Sequence, residues 1–134
     1  MGAWGSAAFE NDDALDRLDQ LLEGDGLTLV VEAFHDVQAE TGYLEAPQSS
    51  CALAAAEIVA ALKGKPPVAM PEEATAWIAA LGQTPDEAMI RAAIAAVDRV
   101  AADSELRELW EESDYWSEWQ GQIEDLRRRL QDTP

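Results

Sequence analysis

The chain is poor in the residues that most often carry chemistry. Its one cysteine, Cys51, excludes an intramolecular disulfide and a cysteine zinc cage. Standing before Ala-Leu-Ala-Ala-Ala, it reads as a small buried packing group. The one histidine, His35, rules out the common histidine zinc sites. It lies on the flank of an apolar stripe, where a packing role is expected and no partner for general base work is identifiable. A glycine-rich phosphate loop, an HExxH pair, a CxxC pair and a nucleophile elbow are all missing, which weighs against an enzyme and indicates no cofactor. No stretch reaches the ~20 apolar residues of a membrane span. Nor does a basic segment followed by an apolar run precede Glu10, so no secretory leader is expected. Gly2 and Ser6 fit the loose N-myristoylation pattern, yet the acids that follow would repel an anionic leaflet. A cytoplasmic protein fits these absences.

Positive charge is the other shortage, with nine Lys and Arg against 27 Asp and Glu and a net charge of -18. The imbalance is steepest before Lys63, where Arg17 is the only base beside Glu10, Asp12, Asp13, Asp16, Asp19, Glu23, Asp25, Glu32, Asp36, Glu40, Glu45 and Glu57. Such a field repels phosphate backbones and anionic lipid, so nucleic acid and membrane surfaces are excluded as partners. A basic protein or a metal cation would be attracted. Disorder is not expected, because the hydrophobic content of 48% is too high for a chain that stays unfolded through charge.

The chain reads as one all-α domain, residues 1–134, folded as an irregular bundle of six or seven helices, with no alternating β-branched run long enough for a sheet. Residues 1–10 form an irregular plug in which Trp4 and Phe9 pack onto the helices. Asn11 then caps helix one, with Asp12 and Asp13 in its first turn and Gly24 at its end. Asp25 caps a second helix carrying Leu27, Val30, Val31, Phe34 and Val37, closed by Gly42. Pro47 to Leu62 is an alanine-rich helix whose low profile suits a central position, with Lys63 and Lys65 complementing the dipole at its C-terminus. Residues 63–70, with Pro66 and Pro67, form a connector. A short helix from Pro71 to Leu81 is expected to bury Ala74, Trp77, Ile78 and Leu81. Thr84, Pro85 and Glu87 together predict a capping box that starts the next helix, which ends at Ala101 or Ala102. Asp103 or Ser104 begins a helix with Leu106, Leu109 and Trp110. After a break near Ser113 and Asp114, Trp116, Trp119, Ile123, Leu126 and Leu130 line one face of a last helix. There Glu124 with Arg128 and Asp125 with Arg129 are i,i+4 pairs.

Two clusters are candidates for function. Asp12, Asp13 and Asp16 offer carboxylates to a hard cation, since positions four apart share a helix face. Glu111, Glu112 or Asp114 would complete the set if the fold brings them near. Aspartates in a first turn also stabilise a helix without any metal, which is the simpler account. Tyr115, Trp116 and Trp119, beside Trp110, would mark a partner site if exposed, as tryptophan and tyrosine dominate binding hot spots. A helical stripe of aromatics otherwise belongs to the core.

Several stretches carry a likeness: MGAWG with Phe9 and Asn11-Asp12-Asp13-Ala14-Leu15-Asp16, then Tyr43-Leu44-Glu45-Ala46-Pro47, the alanine-rich helix ending near Gly64 and Pro67, and Asp103-Ser104-Glu105-Leu106-Arg107-Glu108-Leu109-Trp110. Together they resemble the bacterial domain-of-unknown-function family numbered 4259. The resemblance implies a small cytoplasmic protein without an established activity, cofactor or catalytic residue, and a terminal motif that belongs to the mature fold. Composition and missing motifs point to a non-catalytic protein-interaction domain of the inhibitor or immunity kind. The alternative is a carboxylate-based divalent-metal or small-ligand binder or hydrolase built on Asp12, Asp13 and Asp16.

Overall fold

The computed structural model describes residues 12–23, 26–67 and 70–132. Along them run seven α-helices: α1 (Asp12–Glu23), α2 (Gly26–Ala39), α3 (Ala46–Leu62), α4 (Glu72–Leu81), α5 (Glu87–Ala102), α6 (Glu105–Glu111) and α7 (Trp116–Gln131). There is no strand among the described residues. The terminal plug with Trp4 and Phe9, the Asn11 cap, Gly24 and the Asp25 cap lie outside them.

Helix α3 is the axis of the bundle. It touches each of the other six helices, and every residue from Ala52 to Leu62 is buried. Alanine makes this possible: a helix with small side chains all round admits neighbours on every side at close interaxial distance. Around it pack Leu18 and Leu21 of α1, Val30, Phe34 and Val37 of α2, Val97 and Val100 of α5, and Ile123, Leu126 and Leu130 of α7. Phe34, 2% exposed, is typical, since full burial of such a side chain stabilises by about 1.5–3 kcal/mol.

Helix starts are fixed by side chains from elsewhere as much as by local caps. At the first turn of α3, where Pro47 removes one donor, the Ala46 N–H donates to Glu105 Oε1 at 2.7 Å. The Glu105 N–H in turn donates to Leu44 O at 2.8 Å, and the Tyr43 hydroxyl donates to Glu108 Oε2 at 3.1 Å. The two stretches Tyr43–Pro47 and Asp103–Trp110 are therefore two halves of one joint, closed by the buried Leu44. Ser104 completes it from within: its Oγ accepts from the Arg107 N–H at 3.1 Å and donates to Val100 O at 2.7 Å, so one hydroxyl serves the end of α5 and the start of α6.

Three details differ from the sequence reading. Helix α5 starts two residues later than the Thr84 box implies, because Asp86 takes the cap: its carboxylate accepts the Met89 N–H at 2.8 Å, while Pro85 is buried ahead of it. In α4 only Ala74 is fully buried, and Trp77, Ile78 and Leu81 are half-exposed. That helix packs on α1 and α3 alone, which leaves much of its apolar face at the rim. Lys63 caps its own helix only through its backbone N–H, which donates to Val59 O and Ala60 O at 3.2 and 3.1 Å. Its ammonium reaches across to the C-terminus of α7, donating to Arg129 O at 3.1 Å, to Asp132 O at 2.7 Å and to Leu130 O. The last carbonyls of α7 have no partners within their helix, and a cation there satisfies both hydrogen bonding and dipole.

Candidate interaction site

Charge is distributed in two opposite ways over this frame. On α1, Asp12, Asp16, Asp19 and Glu23 step by four, three and four and so form a stripe opposite the buried Ala14, Leu18 and Leu21. On α2, Glu32 and Asp36 lie one turn apart. These six acids, with Asp13, are exposed, and none belongs to an ion pair among the described residues. The single base of the pair, Arg17, lies beside Cys51. Neither helix has a basic residue in its last turn. Glu23 stands at the C-terminus of α1, where the helix dipole disfavours a carboxylate.

At the other end of the chain, cations are matched. Arg91 pairs with Glu87 at 3.3 Å, Arg99 with Asp103 at 3.8 Å, Arg107 with Glu111 at 3.4 Å and Arg127 with Asp98 at 2.6 Å. The most buried set joins α3 to α7. Arg129 grips Glu57 through two nitrogens, at 2.6 and 3.1 Å, and donates from Nε to Asp125 at 2.9 Å and from Nη1 to Lys65 O at 3.2 Å. The Glu57 side chain is 4% exposed. Burial pushes its carboxyl above the usual glutamate range, against the opposing pull of the Arg129 guanidinium. Of the two i,i+4 pairs expected on α7, Asp125 with Arg129 forms, whereas Glu124 with Arg128 is not among the ion pairs of the described residues. Such an exposed pair is held by too little energy to fix two long side chains.

The aromatic candidates divide by burial. Trp119 is 2% exposed and Trp110 7%, both in the core, while Trp116 is half-buried and Tyr115 is 59% exposed. The rings of Trp116 and Trp119 stack at 5.7 Å with 21° between their planes. The Arg107 guanidinium lies 5.3 Å from the Trp116 ring centre and also donates to Ala101 O and Ala102 O at 3.0 and 3.1 Å. These contacts fasten the corner between α5, α6 and α7. A cavity of about 200 Å³ remains beside them, with Gln120, Ile123 and Glu124 in its wall. Of the three residues expected to form a partner site, Tyr115 alone is exposed.

Asp12, Asp13 and Asp16 are exposed on the first turns of α1. No group of three or more His, Cys, Asp or Glu side chains placed to hold a metal ion occurs among the described residues. Cys51 is half-buried, with Sγ donating to Asp13 O at 3.7 Å. Burial raises its thiol pKa although Arg17 is near, so it carries little thiolate at neutral pH. His35 is exposed, contrary to the packing role expected of it, and lines a shallow groove between α2 and α5 with Leu27, Thr28, Val31, Glu32 and Met89.

Sequence reasoning did not find the Glu57–Arg129 pair or the Lys63 clamp. A signal for the first was present: one acid inside Ala-Ala-Ala-Glu-Ile-Val-Ala-Ala must be paired if that helix is buried all round. Among the described residues no helix is long and apolar enough to cross a membrane. No match was found among curated proteins or among solved structures. Residues 2–122 match the family described as Domain of unknown function (DUF4259), and the chain belongs to that family.

Proposed function

We propose that the protein is a non-catalytic interaction domain, inhibitor- or immunity-like in its mode of action, that binds a basic protein through the acidic face of α1 and α2. One observation carries the reading. Asp12, Asp13, Asp16, Asp19, Glu23, Glu32 and Asp36 are exposed without ion-pair partners among the described residues, in a chain whose other end matches nearly every arginine. Unpaired like charges on neighbouring helices weaken a fold through repulsion, and natural proteins retain such cost where function needs it. Electrostatic complementarity of this kind steers a basic partner and discriminates against acidic ones. A cytoplasmic setting is part of the same proposal.

The test is affinity capture from the native host at low and at high salt, with the parent chain and with an Asp16→Asn, Asp19→Asn, Glu23→Gln variant. A basic protein retained by the parent at low salt, released at high salt and lost by the variant is the expected result. A partner held equally by both chains, or no partner at either salt, contradicts the reading.

A further inference from the structure

The acidic face adjoins an apolar groove, and the two together define what kind of segment would fit. Helices α2 and α5 pack side by side, yet between the N-terminal half of α2 and the first turn of α5 they leave an open depression of about 490 Å³. Leu27, Val31 and Met89 supply its apolar surface, and Glu32 and His35 its polar edge. Val31 is 50% exposed and is one of only three large hydrophobic residues so open among the described residues. From Leu27 to His35 the groove follows two turns of α2, about 12 Å at helical rise. Glu32 lies within it and Asp36 one turn beyond, both exposed and without an ion pair among the described residues. Arg91, two residues after Met89 along α5, is engaged by Glu87 at 3.3 Å and does not line the groove.

We propose that this groove receives an amphipathic helix of a basic protein, with apolar side chains on Leu27, Val31 and Met89 and lysine or arginine reaching Glu32 and Asp36. The inference rests on the reading that the partner is basic, and adds where and in what form it docks. A depression between two helices is the setting for helix-in-groove recognition, and no strand edge among the described residues offers the alternative of strand addition. Charge decides between occupants. A second copy of the chain would bring the same acids against Glu32 and Asp36 and a net charge of -18 against its equal, and nucleic acid would bring phosphates. A basic segment alone neutralises the carboxylates while it covers the apolar floor.

Two synthetic peptides of equal length and charge separate the groove from the general acidic field. One carries lysines with leucines at helical spacing on one face, and the other carries lysines with serines in those places. Calorimetric titration at low salt is expected to show the leucine peptide binding about ten-fold or more tightly than the serine peptide, a difference of about 1.4 kcal/mol. A Val31→Gln, Met89→Gln variant is expected to reduce the leucine peptide to the level of the serine peptide, with amide shifts in the parent concentrated on α2 and the start of α5. Val31→Gln alone, at a half-exposed position, serves if the double variant melts early, and should recover part of the same loss. Equal binding of both peptides, or a leucine peptide indifferent to the substitutions, overturns the groove and leaves the acidic reading in place. Failure of both peptides to bind at low salt removes that reading and the groove with it. A concentration-dependent doubling of mass that Val31→Gln abolishes makes the occupant a second copy and overturns the proposal.

Discussion

The first two helices and two of the last three, α5 and α7, follow opposite electrostatic rules. In α5 and α7, Arg99, Arg128 and Arg129 lie in last turns, where the dipole favours cations, while the short α6 has no base in its last turn. Asp98 and Arg127 bridge α5 to α7, and Glu57 with Arg129 ties the central helix to the last one. In α1 and α2 the last turns hold no base, α1 ends on Glu23, and its acids face water along one stripe. Both regions bury a good apolar face against α3, so the contrast is not between a folded and a loose part. Charge at one end is arranged with respect to the fold; at the other the carboxylates have no ion-pair partner among the described residues, and the proposed basic partner would supply one.

The contrast can be broken first at its strongest point. Arg129→Met leaves Glu57 buried without its cation and is expected to cost about 3–5 kcal/mol in urea denaturation at neutral pH, the range for breaking a buried pair from one side. The pH dependence carries a sign. In the variant the folded-state carboxyl of Glu57 rises further above the ordinary glutamate value of 4.5. Its neutral form is then the one that folds. Stability is fully present below that ordinary value and is lost as pH rises through the folded one, so the gap to the parent is smallest near pH 4.5 and widens towards neutrality. A gap that stays constant with pH contradicts the assignment.

Lys63→Met ranks next. It keeps the aliphatic stem, removes the ammonium from the α7 carbonyls, and is expected to cost about 1.5–3 kcal/mol by the same denaturation, as hydrogen bonds from charged groups do. Fraying should appear in amide exchange at the end of α7, and an unchanged exchange pattern there would show that Lys63 is not its cap. Arg127→Ala, which breaks an exposed pair with Asp98, should leave the urea midpoint close to that of the parent. A large loss there would mean that the ion pairs of this end act as a network and not singly.

Most of the fold is legible in the sequence because it is written in local signals. Leu15, Leu18 and Leu22, or Ile90, Ala93, Val97 and Val100, repeat at helical spacing, and Gly82 and Ser104 mark ends that the backbone requires, Gly82 with a φ of +60°. Where two local signals compete, as Thr84 and Asp86 do for one cap, propensity does not decide; here the Asp86 carboxylate takes it by accepting the Met89 N–H. Long-range partners are harder to read. Lys63 satisfies a dipole as expected, but of a helix distant in sequence. Glu57 announces a need for a cation without saying which of Arg127, Arg128 and Arg129 meets it. The acidic face is visible in composition alone, since exposed carboxylates need no partner to be counted. The groove is not, because it exists only once Met89 is brought beside Leu27 and Val31.

The claim that the α1 carboxylates serve a partner and not the fold is tested most directly by the melting temperature of an Asp19→Asn, Glu23→Gln variant at low salt. Both residues lie in the second half of α1, where the dipole and their acidic neighbours oppose them. Neutralising them is expected to raise the melting temperature by about 1–4 °C. A fall of the same size would show that these acids hold α1 in place, and would contradict the account.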